Sequence, residues 1–355
     1  MIIVRQRVFH DGERRRKVRG LDRGRFTPRS TAEVVLYLSF NAPYDSISST
    51  FATSSPVYIM CDFSQYGGAS EEFSELLKTL PDPGEQSVED LKATVNLGRE
   101  EVSSEEMKTL APKVLMKDHS LTTADGETLP LRSYRSSSLP EDEKLPIYIH
   151  FHGGGFLFGT LDSEDAACAR IAIDVNVVVL NVNYRHTPDW VFPAAWLDAE
   201  EAFEWAYTNA SDFGGDALQI VIGGISAGGH LSAALAQTLQ RDGKPSYSSL
   251  KGQVLMIPCV VHEQLAGPLL AQMKDSTVSS YKENEFAPIL PLSRMRLFNG
   301  LAYPKLPDAS DRRANPGLAT GQEVEGLPPA TVGICGLDPL RDEAFLYASL
   351  LAENG

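Results

Sequence analysis

The serine at position 226 stands in a glycine-framed turn that is typical of nucleophilic chemistry. The pentapeptide Gly224-Ile225-Ser226-Ala227-Gly228 has the pattern Gly-x-Ser-x-Gly. A predicted strand, Gln219–Gly224, precedes it and a predicted helix, Ala227–Leu239, follows it. A serine between such elements sits at the apex of a sharp turn, because small neighbours let the strand and the helix approach closely. We therefore predict that Ser226 is a nucleophile at the C-terminal edge of a sheet.

A second glycine cluster lies at the end of an earlier predicted strand. The strand Pro146–His152 runs directly into Gly153-Gly154-Gly155-Phe156. These glycines could form a flexible turn or a phosphate-binding loop, but the Gly-Lys-Ser/Thr ending and the Gly-x-Gly-x-x-Gly spacing of phosphate loops are absent here. Acyl transfer instead builds negative charge on a carbonyl oxygen, which backbone N–H groups without side chains can approach. We predict an oxyanion hole formed by the N–H groups of Gly154, Gly155 and Ala227.

Two further motifs complete a set that is similar to a known family. The segments Tyr184–Asp189 and Asp338–Glu343 occur together with the two glycine motifs, in the family's order, over residues 146–355. On these motifs the chain resembles the hormone-sensitive lipase family of α/β-hydrolases, a group of serine esterases. The resemblance implies an α/β-hydrolase fold, with a mostly parallel sheet, helices on both faces and a helical cap. It also implies ester hydrolysis by a Ser–Asp–His triad without a metal or an organic cofactor.

Asp338 is the candidate acid of this triad. It follows the predicted strand Thr331–Gly336 at its C-terminal end, where the family places its acid. The alternative role is a cap for the helix predicted over Asp342–Leu351, since an aspartate before a proline is common at that position. Position and resemblance together favour the catalytic role.

The third member of the triad is not evident in the sequence. None of the histidines follows Asp338, as the order Ser, Asp, His would require; they are His10, His119, His150, His152, His186, His230 and His262. We therefore expect the base to lie beyond residue 355, so that the 355-residue chain alone should acylate poorly. His230, on the helix after the serine, and His262, at the start of an insertion, are the substitutes that the sequence offers. Structural hydrogen bonds are expected of His152 and His186.

The rest of the chain divides into a core and a cap. Alternating strand and helix patterns predict a mostly parallel sheet. The valine-rich run Val175–Val182 is typical of a strand buried on both faces. A hairpin is predicted over Val114–Thr122 and Thr128–Tyr134, around the turn Ala124–Glu127. The predicted divisions are N-terminal cap helices in residues 60–112, the α/β-hydrolase core in 113–260, a cap insertion in 261–327 and the incomplete end of the core in 328–355. Within the cap, short helices are predicted over Ser87–Leu97, capped by Ser87, over Ser103–Leu110, capped by Ser103 or Ser104, and over Gly267–Lys274.

The first 59 residues differ from the remainder in charge. They hold ten of the 32 basic residues but only five of the 47 acidic ones, with a basic centre at Arg14–Arg19. A mitochondrial transit peptide and a patch for nuclear import or anionic surfaces are two interpretations. The favoured one is a disordered basic extension in residues 1–59, translated upstream of a start at Met60.

The composition excludes several classes of protein. A chain with 43% hydrophobic and 22% charged residues is typical of a soluble globular protein. Its net charge of −15 argues against nucleic-acid binding, and no apolar run is long enough to insert stably into a membrane. The four cysteines are far apart, which argues against a zinc site and against a disulfide scaffold. We predict a cytoplasmic location, with the mitochondrion as the alternative, and leave the oligomeric state open.

These observations predict a serine carboxylesterase that hydrolyses short- or medium-chain acyl esters of small molecules through an acyl-enzyme at Ser226. The alternatives are an amidase or deacetylase of a small metabolite, and a non-catalytic hydrolase-like protein that binds a small ligand. A core that ends soon after the strand Thr331–Gly336 would leave that strand as a bare edge. The chain is therefore predicted to be aggregation-prone.

Overall fold

One mixed sheet forms the centre of the molecule. The computed structural model describes residues 2–5, 61–79 and 86–354. The strands in these ranges lie in the spatial order β1-β8-β7-β6-β4-β5-β3-β2. Their bounds are β1 Ile2–Arg5, β2 Val114–Thr122, β3 Thr128–Ser136, β4 Leu145–Phe151, β5 Val178–Val182, β6 Gly215–Ile225, β7 Leu250–Met256 and β8 Ala330–Ile334. Strands β8, β7, β6, β4 and β5 run parallel, whereas β1, β2 and β3 pair antiparallel at the two edges. The predicted mostly parallel sheet and the predicted hairpin are confirmed.

Helices cover both faces of this sheet, as predicted. The α-helices within the described ranges are α1 Glu71–Leu77, α2 Val88–Leu110, α3 Leu161–Val175, α4 Ala194–Asn209, α5 Ala227–Arg241, α6 Gly267–Leu270, α7 Ser280–Glu283, α8 Leu292–Ala302, α9 Gly321–Val324 and α10 Arg341–Asn354. Side chains alternate along a strand, so Val179 of β5 belongs to the hydrophobic cluster that includes α3, while its neighbours Val178 and Leu180 belong to the cluster that includes α4 and α5. All five residues of β5 are buried, which confirms the prediction for this valine-rich run.

The strand β5 begins three residues later than the valine-rich run Val175–Val182 predicts. Val175 ends α3, a helix that the sequence pattern did not predict, and Asn176 follows it in the left-handed region with φ 56°. A residue in this conformation ends a helix and redirects the chain. The strand therefore begins only at Val178.

Helix α2 is one continuous helix of 23 residues, and the prediction of two short helices in this region is wrong. Ser87 caps its start by accepting a hydrogen bond from the Asp90 N–H, as predicted. Ser103, predicted as a possible second cap, is buried inside the helix and accepts a hydrogen bond from the N–H of Ala166 in α3. A tertiary contact thus uses the hydroxyl that the sequence suggested for capping.

The outer edge of β8 is paired. Residues Ile2–Arg5 run antiparallel to it, with Ile2 opposite Ile334 and Arg5 opposite Thr331. The expectation of a bare edge at this strand is therefore wrong, and four residues of the segment predicted to be disordered form a strand. The basic centre and the remainder of that segment, residues 6–59, lie outside the described residues.

The segment before α1 meets the insertion between β7 and β8. Cys61 donates its N–H to Gln272 O at 2.8 Å and accepts from Lys274 N at 2.7 Å, which joins the segment before α1 to the one after α6. The helix predicted over Gly267–Lys274 is confined to α6, and the pattern did not predict α8. Helix α8 contributes Met295, Phe298 and Asn299 to the cavity that also holds Ser226.

Candidate active site

Ser226 occupies the sharp turn between β6 and α5. Its φ of 54° and ψ of −112° are a strained conformation for a residue with a side chain. Its N–H donates to Met256 O at 2.8 Å, and its carbonyl accepts from His230 N at 2.9 Å. A Cβ atom at Gly224 or at Gly228 would collide with the carbonyl oxygen of Phe151. The two glycines of the motif are therefore required by the close contact of the turn with β4.

The glycine cluster after β4 turns sharply beside Ser226. Gly154 and Gly155 have φ values of 140° and 61°, which other residues rarely adopt. The Gly154 carbonyl accepts hydrogen bonds from the N–H groups of Leu157 and Phe158, at 3.0 and 2.9 Å. Among the described residues, no acceptor is bound to the N–H groups of Gly154, Gly155 or Ala227. Three donors are thus available where the sequence predicts an oxyanion hole.

Ser226 and Gly155 line the same cavity. Its volume is about 40 Å³, little more than the space of one water molecule. Most of its wall is apolar and includes Phe156, Leu290, Met295, Phe298 and Tyr303. Two histidines, His230 and His262, also reach it. The arrangement brings a hydroxyl and a glycine of the predicted oxyanion hole into a narrow, largely apolar site.

Asp338 lies four residues beyond the end of β8, and Leu340 after it lines the cavity. Its carboxylate oxygen Oδ1 accepts the Leu340 N–H at 2.9 Å, one residue before α10 begins, so the cap-like role is also present. No described residue donates to its Oδ2. Asn284 holds the backbone of the same turn by donating to the Asp338 carbonyl at 3.0 Å. The Asp338 residue is only 8% exposed, and this burial raises the pKa of its carboxyl group to about 6.

The histidines near the cavity are committed to other partners. Both ring nitrogens of His230 face carbonyl oxygens, those of Cys259 at 2.8 Å and Arg313 at 2.7 Å. Nδ1 of His262 accepts the Gln264 N–H at 3.2 Å, so its neutral ring carries the proton on Nε2. Neither ring therefore offers a free lone pair to a serine proton.

The other described histidines are not among the residues that line the cavity of Ser226. His152 and His186 join their Nε2 atoms at 3.2 Å, a structural contact of the kind predicted for both. Burial lowers the pKa of His152 to about 4. No histidine in the described part of the chain forms a hydrogen bond with Ser226 or Asp338, and His10 lies outside it.

The sequence and the fold match a large group of known hydrolases. Residues 148–355 match a protein family whose description is "alpha/beta hydrolase fold". The chain belongs to the α/β-hydrolase family. The carboxylesterase NlhH of Mycobacterium tuberculosis is 36% identical to this α/β-hydrolase over 234 residues, which are 65% of this chain and 68% of that protein. The versiconal hemiacetal acetate esterase of Dothistroma septosporum is 33% identical over 252 residues, 71% of this chain and 74% of that protein.

Solved structures agree with this assignment. An esterase of Pyrobaculum calidifontis superposes with a TM-score of 0.67 at 32% identity, covering 81% of this chain and 86% of that one. A vibralactone cyclase superposes with a TM-score of 0.72 at 27% identity, covering 83% and 86%. The predicted resemblance and fold are confirmed, and this α/β-hydrolase is a carboxylic ester hydrolase.

Three side chains at the site were not predicted from the sequence. Phe298 of α8 covers Gly155, whereas Arg99 of α2 and Glu164 of α3 contact each other beside the glycine cluster. Arg99 and Phe298 are distant in sequence from the glycine cluster, whereas Glu164 follows Gly153 by 11 residues, on the next helix; no local pattern marks any of the three. In the described ranges, no cluster of His, Cys, Asp or Glu could hold a metal ion, and no helix is long and apolar enough to cross a bilayer.

Proposed function

We propose that this α/β-hydrolase is a serine carboxylesterase that forms an acyl-enzyme on Ser226. The observation that carries the proposal is that a strained serine shares one narrow cavity with Gly155, beside three unbound backbone N–H groups. A strained conformation at such a turn is characteristic of nucleophiles that must be presented to a substrate. The esterase relatives support the same reaction class.

The proposed reaction has two halves. Ser226 Oγ attacks the ester carbonyl carbon, and the electron pair that moves to the carbonyl oxygen is stabilised by the N–H groups of Gly154, Gly155 and Ala227. The proton from Oγ passes through a base to the leaving alkoxide as the C–O bond breaks. Water then attacks the acyl-enzyme by the same route and releases the carboxylic acid.

Asp338 is proposed to orient the base, an imidazole, through its Oδ2 atom. The raised pKa of Asp338 supports this role, because a buried carboxylate with one unbound oxygen gains most from a cationic partner. Such a partner would lower this pKa and keep the carboxylate ionised during catalysis.

The cavity supports uncharged esters with short acyl chains as substrates. A volume of about 40 Å³ with apolar walls leaves little room beside Ser226 unless the cap residues move. The net charge of −15 disfavours anionic substrates. Medium-chain esters remain within the proposal and would require displacement of Phe298. The proposed location is the cytoplasm.

The test combines turnover and covalent labelling. Together with the residues that supply the base, the chain should hydrolyse p-nitrophenyl acetate or butyrate, and a fluorophosphonate probe should label it at one site. Ser226→Ala should abolish both signals. Ser232→Ala is the matched control, because that hydroxyl lies on the same helix and is bound to the Gly228 carbonyl. Equal labelling of wild type and Ser226→Ala would refute the nucleophile.

A second candidate is a protein that binds a small ester or lactone without turning it over. It is favoured by one observation, namely that no described histidine bonds to Ser226 or Asp338. Saturable binding of a short-chain ester, with neither labelling nor product release, would support this candidate. An amidase or deacetylase would instead show release of amine from an activated anilide, with the same dependence on Ser226.

A further inference from the structure

A charged side chain from the cap helix α2 reaches the glycine cluster. Nη1 of Arg99 donates to the carbonyl oxygen of Gly153 at 2.9 Å, and its Nη2 pairs with Glu164 Oε1 at 2.5 Å. Within the described residues, the only other hydrogen-bond partner of this carbonyl oxygen is Nδ1 of the adjacent residue, His152, at 3.2 Å. We propose that Arg99 is a positioning residue that aims the N–H of Gly154 into the oxyanion hole. The inference rests on the proposed serine esterase mechanism.

The geometry of the peptide unit connects Arg99 to that donor. The Gly153 carbonyl and the Gly154 N–H belong to one planar trans peptide, so they point in opposite directions. A donor bound to the carbonyl therefore fixes the direction of the N–H on the other side. Because the donor is a cation, it also polarises the peptide and makes the N–H a stronger donor.

The other two predicted oxyanion donors are fixed by main-chain contacts. The Gly155 N–H shares its peptide with the Gly154 carbonyl, which accepts from Leu157 and Phe158 N–H groups. The Ala227 N–H shares its peptide with the Ser226 carbonyl, which accepts from a backbone N–H in α5. The peptide before Gly154 thus depends on side chains, and Arg99 supplies the contact from outside the loop.

Arg99 is itself held by a buried anion. Glu164 is nearly fully buried, and its second oxygen contacts His150 Nε2 at 3.0 Å. Burial alone would raise the pKa of Glu164, but the hydrogen bond with His150 and the charges of His150, His152 and Arg99 lower it to about 2. The carboxylate therefore stays ionised and keeps the guanidinium in one orientation.

Helix α2 holds the far end of the same loop as well. Asn96 accepts the Gly159 N–H at 2.8 Å, and Glu100 accepts the Thr160 hydroxyl at 2.7 Å. Arg99 lies between Asn96 and Glu100 in sequence and binds the start of the loop, at the Gly153 carbonyl. Docking of this cap helix and formation of the oxyanion hole are therefore coupled.

The test compares Arg99→Met with a matched break in the same interface. Arg170→Met removes the ion pair between Arg170 of α3 and Glu106 of α2, which also joins the two helices but is distant from the glycine loop. Because Arg99→Met leaves Glu164 buried without its partner, Arg99→Met/Glu164→Gln is measured beside it. Steady-state rates on p-nitrophenyl butyrate and the affinity for an alkyl trifluoromethyl ketone are determined for each. That ketone adds to the serine hydroxyl and mimics the oxyanion.

Both Arg99 variants should lose about 10- to 100-fold in kcat and in ketone affinity, with KM within about twofold, since only the transition state uses the donor. Arg99→Lys should recover part of the loss, and Arg170→Met should match the wild type. If the fluorophosphonate probe labels Ser226 but the Arg99 and Arg170 variants have equal kcat, the role of Arg99 is refuted and the proposed esterase function stands. Absence of Ser226-dependent labelling in the unchanged chain would overturn the proposed function, and this inference with it.

Discussion

The ring of Phe298 occupies the space that a side chain at residue 155 would take. A Cβ atom on Gly155 would collide with three carbon atoms of this ring, and Phe298 also packs edge-on against Phe158 at a centroid distance of 5.5 Å. A residue of the cap helix α8 therefore closes the cavity directly above a predicted oxyanion donor. We expect the size of this one side chain to limit the acyl group that can lie beside Ser226.

Phe298→Ala should shift the preference toward longer acyl chains. Removing the ring enlarges a cavity of about 40 Å³, so the ratio of kcat/KM for hexanoate over acetate esters should rise about 10-fold or more. Phe286→Ala is the control, because Phe286 lies in the same cap segment but is 86% exposed. An unchanged chain-length profile in Phe298→Ala would show that the ring does not limit the acyl site.

Gly154→Ala should inactivate the enzyme while leaving most of the fold intact. A Cβ at this position, with φ of 140°, would collide with the backbone of Phe158 and displace a predicted oxyanion donor. The loss of one donor typically lowers kcat by about 10²–10³. Gly300→Ala in α8 has open space around its Cβ and should keep full activity. Comparable kcat values in the two variants would exclude Gly154 from the oxyanion hole.

The sequence predicted the central strands and the serine turn because these depend on local patterns. Apolar runs of β5 and β6 and the glycines at 224 and 228 report directly on burial and on close backbone contact. Helix α2 was predicted as two pieces, because a serine inside a helix resembles a cap unless its tertiary partner is known. The strand β1 could not be inferred, since nothing local distinguishes pairing with β8 from disorder.

The site was predictable only for its motif residues. Arg99 binds a carbonyl 54 residues further along the chain, and Phe298 covers a glycine still more distant in sequence. Such contacts arise when residues 60–112 and 261–327 pack on the core. They produce no hydrophobic periodicity and no motif spacing in the sequence. The same limitation applies to the histidines, whose availability depends on which carbonyl or N–H each ring meets.

His262→Ala should leave the fluorophosphonate labelling of Ser226 within about threefold of wild type, although His262 lines the cavity. Its Nδ1 lone pair is bound by the Gln264 N–H, so the ring cannot accept a proton from the serine without breaking this contact. A true general base contributes about 10²–10⁴ to the rate. A loss of that size would identify His262 as the base and contradict the tautomer deduced from its hydrogen bond.

Asp338→Asn should make the 355-residue chain more stable at neutral pH. The folded pKa of Asp338 is raised to about 6 by burial, whereas an unfolded aspartate titrates near 3.9. Between about pH 4 and pH 6 the folded state therefore binds more protons than the unfolded state, and the free energy of unfolding falls as the pH rises. Asparagine cannot ionise, and its side-chain oxygen can still accept the Leu340 N–H.

The stability gain of Asp338→Asn over wild type should grow from about pH 4 to pH 6 and level off above it, at no more than about 3 kcal/mol. Denaturant titrations of the 355-residue chain at a series of pH values measure this difference. Asp308→Asn is the control, since hydrogen bonds from Ser310 lower the pKa of this exposed carboxyl and give its pH dependence the opposite sign. A difference that stays flat across this window would contradict the raised pKa of Asp338 in this chain.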